Sequence, residues 1–130
     1  MTKNIAIVFP GQGSQSLKMV EDFYQNYSEI QSFFASASKI LGYDLWKIID
    51  QGPISVLNQT LITQPALLVA AYSVWHIFQK EIALTPQYLA GHSLGEYTAL
   101  VAAQSLSFEK AVELVSFRAK AMQDAVPKDE

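Results

Sequence analysis

Apolar positions along the chain change their spacing in a way that predicts strands alternating with helices. Ile5-Ala-Ile-Val-Phe9 is a continuous, β-branched apolar run, the pattern of a strand buried on both faces of a parallel sheet. Pro10-Gly-Gln-Gly-Ser14 ends it with a glycine-rich loop. From Val20 to Leu41 apolar residues recur at helical spacing (Phe23, Tyr27, Ile30, Phe34, Ala37, Leu41). Gly42 stands where a helix C-terminal glycine belongs. Residues 43–59 predict short helices broken at Gly52-Pro53. A longer helix is expected next, with Pro65 in its first turn and its body over 66–80. Gln87-Tyr-Leu-Ala-Gly91 reads as a short strand, and a small-residue helix follows over 94–103. Ser107 has the chemistry of an N-cap for a last helix running to about Ala125, before the polar ending Pro127-Lys-Asp-Glu130. This order implies a parallel α/β core. Two strands are too few for a stable sheet alone, so the chain is expected to be part of something larger.

Composition narrows the picture. At 130 residues, 50% hydrophobic and 16% charged, the chain predicts one packed domain rather than disorder. Its net charge of −3 is scattered, without the clustered Lys and Arg of a nucleic-acid surface. With no cysteine, a disulfide framework, a thiolate zinc site and a cysteine nucleophile are excluded. The apolar runs 5–9 and 66–72 are too short for a signal segment or a membrane span. The expectation is therefore a soluble, cytoplasmic protein with neither nucleic-acid nor membrane partner.

The strongest chemical signal is Gly91-His92-Ser93-Leu94-Gly95, a G-x-S-x-G between a strand and a helix. A nucleophile elbow holds its serine at a tight strand-to-helix turn, and glycines two before and two after relieve the crowding. The new helix directs free N–H groups at the serine, so the Leu94 amide can donate to a developing oxyanion. His92 is not read as the general base, because neighbours on a strand point to opposite sides. His76, beside Trp75 in mid-helix, reads as a surface or partly buried helical residue.

Two other features leave alternatives open. The Pro10–Gln15 string matches neither a P-loop nor a dinucleotide fingerprint. It is either a structural turn or a loop facing the elbow, with the Gln12 backbone as a second oxyanion donor. Arg118 falls within an apolar stripe of Ala111, Leu114, Val115, Ala119 and Met122. Spacing alone favours a structural role, snorkelling or pairing with Glu96 or Glu113. The other reading is a two-pronged grip on a substrate carboxylate.

Three motifs, Phe9-Pro-Gly-Gln-Gly-Ser-Gln15, Thr63-Gln-Pro-Ala66 and Gly91-His-Ser-Leu-Gly-Glu96, occur in this order in one family. The chain resembles malonyl-CoA:acyl carrier protein transacylases and the acyltransferase domains of polyketide and type I fatty acid synthases. Leu41-Gly-Tyr-Asp-Leu-Trp46 and Met122-Gln-Asp-Ala-Val-Pro127 look like the stand-alone bacterial type. The resemblance implies an α/β-hydrolase-like parallel core in fatty acid biosynthesis. Residues 1–130 would be its incomplete N-terminal portion, without the ferredoxin-like small subdomain or the return strands.

By matching position, Ser93 would take malonyl from coenzyme A and pass it to the phosphopantetheine thiol of acyl carrier protein. Gln12 and Leu94 amides would form the oxyanion hole, and Arg118 would pair with the malonyl carboxylate. Gln64 would line the pocket and His92 neighbour the elbow within the substrate site. Leu94 resembles malonyl-selecting members. No bound cofactor or metal is implied, only a coenzyme A thioester as substrate. The family's catalytic histidine lies downstream of the elbow, beyond the end of this sequence, which implies weak or no activity for this chain alone. Two alternatives stand beside transacylation. One is a serine hydrolase or thioesterase using the same elbow, in which Arg118 has no partner on an unsubstituted acyl chain. The other is a non-catalytic fragment.

Overall fold

The computed structural model describes residues 3–127. Two strands, β1 (Ala6–Phe9) and β2 (Tyr88–Gly91), pair in parallel with Ala6 opposite Tyr88 and Phe9 opposite Gly91. Between them run α1 (Glu21–Asn26), α2 (Ser28–Leu41), α3 (Leu45–Gln51), α4 (Ile54–Leu57) and α5 (Thr60–Ile82). After β2 come α6 (Leu94–Ala102) and α7 (Phe108–Asp124). The fold class is mixed α/β with a small parallel sheet, as expected.

Helix α5 is the hub, packed against α7, α6 and α2. Residues 62–70 are all buried, so the helix has no solvated face there, which is the pattern of a core helix. It has the length and hydropathy to cross a membrane, but 67% of its apolar window is buried inside the protein. The core accounts for that apolarity.

Several expectations are corrected. The pattern over 20–41 is two helices, because Tyr27 leaves helical geometry (φ −127°, ψ 112°). Aromatic spacing persists across the break, with Phe23 stacked on Tyr27, and so concealed it. Helix α5 begins at Thr60, which puts Pro65 inside the helix rather than in its first turn. Strand β1 is not buried on both faces: Phe9 is buried, while Ala6 is exposed and Val8 is 70% exposed. Among the described residues β1 pairs only with β2. Its flank opens onto an apolar cavity of about 410 Å³ between Ile7, Val8, Phe9, Trp75 and Phe78. The buried face of α7 is Phe108, Ala111, Val112, Val115 and Ala119. Leu114 and Met122, read as part of that stripe, are 42% and 44% exposed.

Other local signals stand. Gly42 closes α2 in the left-handed region at φ 84°. Ser107 caps α7 by accepting from the Lys110 amide. His76 is partly exposed, beside Glu29 at 3.7 Å and edge-on to Phe33.

Tyr43, between α2 and α3, packs against the core with a buried hydroxyl that has no partner among the described residues. Burial pushes its pKa up from 10.0 to about 12. Between those values the unfolded chain loses its proton first and holds fewer protons than the folded one. Stability therefore falls as pH rises through that window. Urea midpoints measured across it should decline, and Tyr43→Phe should decline less while gaining about 1 kcal/mol at neutral pH.

Candidate active site

Strand β2 ends at Gly91 and α6 begins at Leu94, leaving two residues to reverse the chain. Ser93 takes φ 55° and ψ −111°, a conformation that non-glycine residues adopt only where surrounding structure enforces it. The flanking glycines are required by contact. A Cβ on Gly91 would lie 2.0 Å from the Gly95 carbonyl carbon, and one on Gly95 would lie 2.3 Å from the Phe9 oxygen. The elbow is thus pressed against itself and against the end of β1, leaving no room for a methyl group.

The loop after β1 meets the elbow. Gly11 is buried against the His92 carbonyl, so residues 10–15 face the turn that carries Ser93. Two side-chain bridges fix this loop to the junction of α4 and α5: Thr60 donates to Gln12 Oε1 at 2.8 Å, and Gln15 donates to Asn58 at 2.9 Å. Gln15 also accepts from the Gly13 amide at 2.8 Å. Among the described residues, the backbone amides of Gln12 and Leu94 have no hydrogen-bond acceptor. Both are free to receive a developing negative charge.

Arg118, the sequence's only arginine, reaches this site from α7. Its Nη2 donates to Ser93 Oγ at 3.0 Å and its Nη1 to Gln64 Oε1 at 2.6 Å. The guanidinium also lies 5.3 Å from the centre of the Tyr97 ring, a cation–π distance. Neither Glu96 nor Glu113 pairs with it: Glu113 binds Lys110, and among the described residues no carboxylate lies within 4.0 Å of Arg118. The expected structural pairing is therefore corrected. The side chain sits at the edge of the buried face of α7, three residues after Val115, where it reaches across to α5 and α6 rather than along its own helix. A guanidinium held by a neutral amide and a serine retains its charge for an anion.

Gln64 is fully buried and does not face open space. Its amide nitrogen donates to Thr60 Oγ1 at 2.8 Å and toward the Met122 sulfur at 3.4 Å. With its oxygen on Arg118, the whole amide is satisfied, as buried amides require. His92 is exposed and makes no hydrogen bond to Ser93; its Nδ1 lies over Gly11. The structure thus brings together Ser93, Arg118, Gln64 and the Gln12 loop, and places His76 elsewhere on α5. Sequence reading missed Thr60 and Tyr97. The i, i+4 spacing of Thr60 and Gln64 and of Ser93 and Tyr97 was the available signal.

A serine at a strained strand-to-helix turn, with free amides and a guanidinium around it, has parts that a nucleophilic site on an α/β scaffold requires. The model of the acyl transferase domain matches residues 6–130, and the chain belongs to that family. It is 52% identical over 122 residues to the malonyl CoA-acyl carrier protein transacylase of Salmonella typhimurium, covering 94% of this chain and 40% of that protein. A crystal structure of an acyl carrier protein S-malonyltransferase from Vibrio cholerae superposes with TM-score 0.92 at 50% identity, over 96% of this chain and 41% of that one. A malonyl-transacylase in complex with its type II polyketide acyl-carrier protein gives TM-score 0.92 at 49% identity, over 96% and 40%. The chain therefore spans about 40% of the length of these relatives.

Proposed function

We propose that this chain carries the acyl-binding half of a malonyl transferase that acts between coenzyme A and acyl carrier protein in fatty acid biosynthesis. The observation that carries this reading is the guanidinium of Arg118 at 3.0 Å from Ser93 Oγ. A carboxylate at the far end of a malonyl group can pair with it while the thioester carbonyl lies at the serine. An unsubstituted acyl chain offers no such anchor, which favours malonyl transfer over the thioesterase reading. The substrate names of the relatives support the same choice.

In the first step Ser93 Oγ attacks the thioester carbonyl. The Oγ–C bond forms, the carbonyl oxygen takes negative charge, and the amides of Gln12 and Leu94 stabilise it. Collapse breaks the C–S bond, and coenzyme A leaves as its thiol with the serine's proton. In the second step the phosphopantetheine thiol attacks the malonyl-serine ester: the C–S bond forms, the Oγ–C bond breaks, malonyl leaves on the carrier thiol, and the thiol's proton passes to Ser93 Oγ. Gln64 serves by holding Arg118, and His92 by seating the elbow against Gly11. The setting we assign is the cytoplasm, consistent with α5 being a core helix.

Among the described residues Ser93 has no histidine or carboxylate partner. Loss of the base from a serine–histidine unit costs roughly 10⁴-fold or more in rate, so this chain alone is expected to load slowly and turn over poorly. Intact mass after long incubation with malonyl-CoA tests the reading. One added malonyl group, mapped to Ser93 by peptide digestion, supports it. A folded chain that stays unmodified at saturating malonyl-CoA overturns it for this chain.

A further inference from the structure

We propose that Thr60 is a positioning residue that couples the oxyanion loop to the carboxylate clamp, an inference that rests on the malonyl-transfer reading. Among the described residues, its hydroxyl is the one group hydrogen-bonded to both sides. It accepts from Gln64 Nε2 at 2.8 Å and donates to Gln12 Oε1 at 2.8 Å.

The direction of the first two hydrogen bonds in this relay is forced. Arginine can only donate, so Gln64 must present its oxygen to Arg118 and its nitrogen to Thr60. A hydroxyl has one proton, and Thr60, which accepts from Gln64, donates that proton to Gln12 Oε1 in the structure. The result is a one-way chain from the cation to the loop: Arg118 polarises the Gln64 amide, which makes Thr60 a stronger donor to Gln12. Serial hydrogen bonds of this kind hold one another in place, and the Gln12 backbone amide is carried by the same residue that ends the chain.

The chemical consequence is that the guanidinium and the oxyanion donor are set relative to each other by side chains, across three separate segments. A malonyl group has a carboxylate for the guanidinium at one end and a reacting carbonyl for the oxyanion donor at the other. Thr60 would therefore act on the distinction between malonyl and acetyl groups without touching either. Asn58 supplies a contrast. It also fixes the loop, through Gln15, but has no hydrogen bond to Gln64 or Arg118.

The full chain, labelled with ¹⁵N, provides a direct test. Because Arg118 is the only arginine, its Nε–H gives a single signal. Thr60→Val, close in shape to threonine, should shift both that signal and the Gln12 backbone amide. Thr60→Ser should restore both, and Asn58→Ala should move only the loop. In parallel, the ratio of malonyl to acetyl adduct on Ser93 should fall about tenfold in Thr60→Val, the loss of one good hydrogen bond. Thr60→Ser and Asn58→Ala should keep the wild-type ratio. If Thr60→Val moves the loop alone, the arginine alone, or neither, the coupling is wrong. An unchanged adduct ratio with both signals shifted overturns the role in acyl choice. If the unmodified chain forms no adduct at all, the malonyl-transfer reading fails, while the spectra still decide whether Thr60 couples the two sides.

Discussion

Ser93→Ala is expected to abolish the malonyl adduct completely, with the protein still folded. The hydroxyl is the only proposed nucleophile, and its removal leaves no oxygen at the elbow within reach of the Arg118-anchored acyl group. Ser93→Gly should abolish the adduct as well, and in addition raise stability by about 1 kcal/mol. Serine at φ 55° and ψ −111° carries strain of ~1–3 kcal/mol, and glycine adopts such angles freely. Relief of that strain exceeds the extra freedom glycine gives the unfolded chain. Intact mass and urea unfolding on the same two variants check both statements. An adduct of malonyl mass on Ser93→Ala would move the nucleophile elsewhere.

Arg118→Ala is expected to lower malonyl loading by about 100-fold while leaving acetyl loading within a few-fold of its starting level. Truncating one partner of a buried, hydrogen-bonded charge pair costs ~2–5 kcal/mol; Arg118 is partly buried, so the lower part of that range applies, and only malonyl brings the second charge. The same variant should be less stable by about 1 kcal/mol, since the buried Gln64 oxygen loses its only donor among the described residues. Arg118→Lys keeps the charge, but an ammonium cannot serve Gln64, Ser93 and a carboxylate with a planar fork. It should fall between the two. The decisive quantity is the ratio of malonyl to acetyl adduct; a ratio unchanged in Arg118→Ala removes the clamp from the mechanism.

The elbow was legible because its geometry restricts residue type: only glycines fit where Gly91 meets Gly95 and Gly95 meets Phe9. Helix ends marked by Gly42 and Ser107 were legible for the same local reason. The break at Tyr27 was not, since its aromatic ring keeps the helical spacing while its backbone leaves the helix. The exposure of Val8 was hidden as well. A continuous apolar run reports what a strand is suited to bury, not which of its neighbours are present.

Arg118 shows the limit most clearly. Spacing on α7 placed it within the apolar stripe, yet both of its hydrogen-bond partners come from other helices or their ends, Gln64 on α5 and Ser93 before α6. Thr60 was missed because its meaning depends on the Gln12 loop, 48 residues away in sequence. Motifs reveal chemistry that is local in the chain; relays assembled across segments need coordinates.

The parallel pairing of β1 with β2 also sets an order of assembly. Next to the register that joins them, the Ile5 amide bonds to Gln87 across 82 residues of sequence. Contacts of such separation close large loops and form slowly compared with helix pairing. Helices α5, α6 and α7 are expected to dock first, and the contact of the turn at Ser93 with the end of β1, through Gly95 and Phe9, to close later. Chemical reactivity at Ser93 should therefore be among the last properties the chain acquires as it folds. A slow acylating probe added during refolding would read completion of the fold, not merely the presence of a serine.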